Sequence, residues 1–163
     1  MIDYSILRID QENYALFDDM VFFRVNNRER TPGERAAPRD FSTNCAALAN
    51  KNLRVYAAQA DGRLVGWVSA VFVPKIGHPA YGGKGHLLID ELWVTPAFRQ
   101  HGIASALIAK AEDAAREMNA VGLRLYVSGD NPGAFALYTK CGYRDRGSNA
   151  HFMDKEWADP TDA

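Results

Sequence analysis

Residues 87–104 read LLIDELWVTPAFRQHGIA, and this stretch constrains the fold more than any other. An apolar, strand-like run is broken by Pro96, a short polar turn follows, and a helical pattern opens near Gly102. A strand that feeds a Gly-containing turn and then a helix start is a place where a chain can hold phosphate. The first N–H groups of a helix lack intrahelical acceptors, and the helix dipole favours negative charge beside them. The strand half of the stretch also carries two adjacent acids, Asp90 and Glu91.

The patterns on either side predict an α/β arrangement. Tyr4 to Ile9 reads as a short strand. Gln11 to about Arg24 reads as a helix with Tyr14, Phe17 and Val21 along one side and Asp10 as its cap. Asn26 to Asp40 has no periodicity and reads as a long loop, and Phe41 to Asn50 as a short helix. Leu53 to Ala60 and Arg63 to Val73 are two strands joined by Asp61-Gly62, a hairpin turn signal. Pro74 to Lys84 is a loop and Gly85 to Val94 the next strand. From Gly102 to about Asn119, a helix presents Ile103, Leu107, Ile108, Ala111, Ala115 and Met118 as one apolar stripe. Val121 to Ser128 alternates as a strand, so a helix would connect two strands of one sheet. Asn131-Pro132 opens a last helix that stops at Gly142. Tyr143 to Arg146 and His151 to Trp157 are read as a closing strand pair, and 158–163 as a frayed tail. Residues 1–157 are thus read as a single domain.

Composition excludes several classes. A formal net charge of −1 over 163 residues argues against a strongly basic nucleic-acid surface. No apolar run is long enough to span a membrane, and the first residues carry neither a basic region nor an apolar core. Cys45 and Cys141 lie far apart, as reduced thiols of a cytoplasmic protein would. The four histidines are scattered without ligand spacing, so no metal is expected. Gly82-Gly83-Lys84-Gly85 lacks the remainder of a phosphate loop and reads as ordinary loop.

Two motifs in order carry a family resemblance. Arg99-Gln100-His101-Gly102-Ile103-Ala104 fits Arg/Gln-x-x-Gly-x-Gly/Ala, after Leu92-Trp93-Val94, Pro96 and Phe98. Downstream come Asn131, Ala134, Ala136, Leu137-Tyr138 and Cys141-Gly142-Tyr143. Together, over roughly Leu53 to Trp157, the chain resembles the GNAT superfamily of N-acetyltransferases. Gln100-His101 replaces the usual Gly-Lys, at positions that offer mainly backbone. The resemblance implies a mixed, mostly antiparallel central sheet flanked by helices, acetyl-CoA as co-substrate, and acetyl transfer to a primary amine.

It also implies site residues. Arg99, Gln100, His101, Gly102, Ile103 and Ala104 would cradle the pyrophosphate, and the backbone of Leu92, Trp93 and Val94 would pair with the pantetheine arm. Asn131 would touch the coenzyme. Tyr138, seven residues on and about 10 Å along the same helix face, would protonate the departing thiolate. An alkyl amine is almost wholly protonated at pH 7, so a base or anchor is needed. Ile89-Asp90-Glu91-Leu92-Trp93-Val94 looks like the acidic strand of polyamine acetyltransferases of this superfamily. By strand alternation, Asp90 would share a face with Leu92 and Val94, and Glu91 with Ile89 and Trp93. Asp90 is favoured as base or anchor, with Glu91 its rival. Cys141 reads as a packed thiol rather than a nucleophile, and Phe22, Phe23, Trp67 and Tyr81 are divided between pocket lining and core.

The expected acceptor is a cationic small molecule: a polyamine, a diamine or an aminoglycoside-like amine. The alternatives are a protein or peptide amine, or a non-catalytic acyl-CoA-binding module. A nicotinamide-dependent dehydrogenase lacks its Gly-x-Gly-x-x-Gly turn. The residues leave oligomeric state open, while homodimers are common among look-alike proteins.

Overall fold

A computed structural model describes residues 2–147. The elements are β1 (Ser5–Arg8), α1 (Tyr14–Asn26), α2 (Pro32–Ala36), α3 (Ser42–Leu48), β2 (Leu53–Ala60), β3 (Arg63–Pro74), β4 (Gly85–Val94), α4 (Ile103–Glu117), β5 (Leu123–Arg124) and α5 (Pro132–Lys140). The five strands form one sheet in the order β1-β2-β3-β4-β5. The first three pairings are antiparallel and β4–β5 is parallel, which is the mixed sheet expected. Asp61 and Gly62 join β2 to β3 with φ of 50° and 74°, the left-handed pair that a two-residue hairpin of this hand requires.

Each face of the sheet buries its own core. On one side α4 lies across β2, β3 and β4, and Ile103, Leu107 and Ala111 pack with Val65, Val68, Leu87, Ile89 and Val94. The α4 stripe matches the periodic pattern except that Ala114 is buried and Met118 only half-buried. On the other side α1 and α3 cover Val55, Ala57, Leu64 and Trp67 with Tyr14, Phe17, Met20 and Leu48. Trp67 is 1% exposed, so it is core and not pocket lining. Full burial of side chains such as Leu107 contributes about 1.5–3 kcal/mol each, which is what fixes α4 to the sheet.

Several expectations are corrected. The first helix begins at Tyr14, not Gln11. Asp10 instead accepts N–H bonds from Glu12 and Asn13, closing a turn that delays the helix. The loop 26–40 contains α2, which Thr31 and Glu34 start with a reciprocal capping box ahead of Pro32. Val121 to Ser128 is not one long strand, since only Leu123–Arg124 is laddered. Among the described residues its one neighbour is β4, and that ladder ends at Leu88↔Arg124, so later residues join no described strand. Val121 is accordingly exposed rather than aligned with Leu123 and Leu125. Tyr143 to Arg146 is not in a strand; the expected partner, His151 to Trp157, and the tail lie outside the described residues. Among the described residues no helix is long and apolar enough to cross a membrane.

Candidate active site

The site grows from a bulge in β4. Pairing with β3 runs Ser69↔Glu91 and then Ala70↔Ile89, which leaves Asp90 as an extra residue. The bulge resets the alternation. Ile89, Leu92 and Val94 all pack in the α4-side core, while Trp93 packs on the α1 side, 5.2 Å from Trp67 ring to ring. The expectation that Ile89 shares a face with Glu91 is therefore overturned. Glu91 does turn toward α1, where Arg24 Nη1 donates to its Oε1 at 2.5 Å. Asp90 is exposed and accepts no hydrogen bond or ion pair among the described residues.

Beyond the bulge, β4 has one edge without a strand among the described residues. It pairs with β5 only at Leu87↔Leu123 and Leu88↔Arg124, yet continues to Val94 on the β3 side. Thr95 N donates to Val65 O, and Trp93 O lies so close to Gly66 that a Cβ there would come within 2.8 Å of it. Trp93's backbone therefore faces β3, and alternation turns that of Leu92 and Val94 to the open edge. Of the three expected backbone contacts, two face outward and Trp93's does not. Val94 O is already engaged, because Arg99 Nε donates to it at 3.0 Å.

After Val94 a 3₁₀ turn at Pro96–Phe98 buries Phe98 and leads to Arg99–Gly102. Gln100 and Gly102 both take positive φ, 65° and 84°. Gly102 is the N-cap of α4, and Ala106 N to Gly102 O is the first helical bond. The N–H groups of Ile103, Ala104 and Ser105 thus lack an intrahelical acceptor. Gly102 has no side chain to cap this end, and no acid lies in its first turn. Gln100 and His101 are exposed, Ile103 gives its side chain to the core, and Ala104 is half-buried. This open, acid-free helix start beside an unladdered strand edge fits an anionic, extended ligand such as coenzyme A.

The C-terminal end of α5 packs against the start of α4. Cys141 Sγ lies 3.9 Å from Ser105 Oγ, and the Tyr138 ring rests on Tyr143, 5.6 Å away. Burial first, and Cys141 second, push the Tyr138 phenol above its usual value, so it is protonated at neutral pH. At the other end of α5, Asn131 Oδ1 accepts from Ala134 N at 3.0 Å. The cap uses the carbonyl, which leaves the amide's donors for another partner.

Sequence reasoning missed the residues that hold the α1 side together. Arg30 Nη1 donates to Asp18 and Asp19 at 2.7 and 2.5 Å, and Arg39 Nη1 to the same pair at 2.9 and 2.7 Å. Desolvation alone would raise the Asp19 pKa, but the bonds and charges of the two arginines win and hold it below its usual value. The guanidiniums of Arg28 and Arg30 also cover the Phe22 ring at 5.0 and 4.3 Å. Tyr81 accepts a bond from Arg124, which ties the 74–84 loop to β5. Only the capping box had a signal in the sequence, Thr-Pro-Gly-Glu at 31–34.

The fold is a mixed α/β sheet whose β4–β5 pair is laddered only at Leu87 and Leu88, followed by a helix that opens at Gly102. The model of the acetyltransferase (GNAT) family matches residues 15–143, and the chain belongs to that family. Acetyltransferase Atu2258 of Agrobacterium fabrum strain C58 is 37% identical over 73 residues, 45% of this chain and 50% of that protein. The chain thus matches about half the length of this relative. Two solved structures share the fold. One is the aminoglycoside acetyltransferase meta-AAC0020 from an uncultured soil metagenomic sample, in complex with sisomicin. Its TM-score is 0.76 at 16% identity, over 94% of this chain and 97% of that one. The other is AAC(6')-Iy in complex with a bisubstrate analog, CoA-S-monomethyl-acetylneamine. Its TM-score is 0.70 at 16% identity, over 94% and 99% of the two chains.

Proposed function

We propose that this protein transfers an acetyl group from acetyl-CoA directly to a primary amine carried by a small cationic molecule. The observation that carries the reading is the open edge of β4 running into the uncapped start of α4, in a chain of the acetyltransferase family. Arg99 to Ala104 would bind the pyrophosphate through backbone N–H groups. Arg99 does so with a guanidinium already anchored on Val94 O. The outward backbone of Leu92 and Val94 would hold the pantetheine arm, and Asn131 would add an amide donor. That the fold relatives bind sisomicin and a CoA-linked aminoglycoside analog supports a cationic acceptor without fixing it.

In the chemistry proposed, Asp90 accepts the ammonium proton, directly or through water. The freed nitrogen attacks the thioester carbonyl, so a C–N bond forms and the C–S bond breaks. Val94 N–H, on the open edge, stabilises the developing oxyanion. Tyr138, a protonated phenol at neutral pH, gives its proton to the departing thiolate, and the second proton of the acylated nitrogen passes through water to restore the phenol. The test is thiol release from acetyl-CoA across a panel of mono-, di- and polyamines and aminoglycosides. Turnover on at least one supports the reading. Tight acetyl-CoA binding with no turnover on any amine, peptide N-termini included, would instead mark a non-catalytic acyl-CoA-binding module.

A further inference from the structure

We infer that Arg24 is a specificity-determining residue: it occupies Glu91 as a built-in counter-ion and so closes the acidic strand to acceptors bearing a second nearby positive charge. The inference rests on the acceptor reading above and narrows it. Arg24 sits in the last turn of α1, and its Nη1 reaches Glu91 Oε1 at 2.5 Å. Its guanidinium also lies 5.0 Å from the centroid of Trp67, a ring that is 1% exposed and held by Phe17 and Trp93. The cation is thus fixed from two directions, by a carboxylate and by an immobile aromatic face.

The sequence offers two adjacent acids, which read together as a site for a dication. The structure separates them. The bulge makes Asp90 the extra residue of β4 and leaves its carboxylate without a protein partner among the described residues, while Glu91 is neutralised from α1. An intramolecular guanidinium is held at an effective concentration on the order of millimolar, so a free ammonium must compete with it for Glu91. An incoming ammonium therefore finds one acid, Asp90, and a second ammonium a few ångströms further along finds a positive group. The pair is part-exposed, at 39% and 44% side-chain accessibility, so it discriminates through occupancy rather than through large stabilisation of the fold.

The test is calorimetric and needs no turnover: titration of 1,5-diaminopentane and of 1-aminopentane into the whole protein with saturating CoA. Arg24→Gln is expected to bind the diamine about two- to fivefold more tightly than the parent, with monoamine affinity unchanged. Arg24→Lys, which keeps the charge, should behave like the parent. Adding Glu91→Gln to Arg24→Gln should abolish the gain. Diamine binding that Arg24→Gln leaves unchanged or undetectable, or a gain that survives Glu91→Gln, overturns the inference. If Arg24→Gln captures the diamine while no amine is ever acetylated, the catalytic reading fails and the counter-ion role stands.

Discussion

The two sides of β4 are assembled by different physics. On the α4 side, an apolar stripe with helical period packs on alternating strand residues, and the proposed donor site is made of backbone groups at a helix start. On the α1 side the packing is smaller, and charged side chains far apart in the chain hold the elements: Arg30 and Arg39 on Asp18 and Asp19, Arg24 on Glu91. The first side depends on local pattern and on apolar burial, which charge screening touches little. The second depends on pairings that only the folded chain brings together, and it can change partners by single substitutions.

The largest effect should come from the apolar side. Leu107→Ala removes a side chain that is 0% exposed on the core face of α4, the helix proposed to form the cradle, and should destabilise by about 2–5 kcal/mol. Urea unfolding checks this; a loss under about 1 kcal/mol would mean that α4 is not held as described. Tyr138→Phe should lower kcat by roughly 100-fold with acetyl-CoA affinity little changed, because only the proton donor is lost. Steady-state kinetics beside a binding titration separates the two quantities, and unchanged kcat would remove Tyr138 from the chemistry.

Smaller effects sharpen the other side. Arg30→Ala leaves Asp18 and Asp19 with fewer partners and should destabilise by about 1–2 kcal/mol, less than a fully buried pair because the acids are 21% and 24% exposed. The pH dependence has a definite sign. Asp19 has a depressed pKa in the fold, so its contribution is present above its unfolded value, about 4. It is lost as pH falls through the folded value. Thermal melting between neutral pH and pH 3 should show a drop that Arg30→Ala makes shallower; parallel curves would remove the network from acid stability. Asp90→Asn should raise the amine KM about tenfold, and Glu91→Gln less, since its carboxylate is already engaged by Arg24. The reverse ranking would exchange the roles of the two acids.

What could be read from the sequence follows the same division. The β2–β3 hairpin and β4 fall at their expected limits, β3 running one residue further, because alternation and Asp61-Gly62 encode them locally. The α4 start was legible because Gly102 follows a strand and a polar turn. The bulge at Asp90 was not, since it is a property of register against Ser69 and Ala70 and leaves no mark in the strand's own residues. The consequence was a wrong face for Ile89 relative to its neighbours. Arg24 and Glu91 are separated by 67 positions, and nothing in either segment announces the pair. The overlong last strand failed for a related reason: Val121 to Ser128 alternates well, but among the described residues its ladder with β4 ends at Leu88↔Arg124.

Direct transfer within one ternary complex is the central claim, and the initial-velocity pattern tests it most directly. Varying acetyl-CoA at several fixed amine concentrations should give intersecting double-reciprocal lines, with no acetyl group on the protein after incubation with acetyl-CoA alone. Parallel lines, together with an acetyl adduct at Cys141 by intact and peptide mass measurement, would contradict the account and replace it with a covalent route through the thiol beside Ser105.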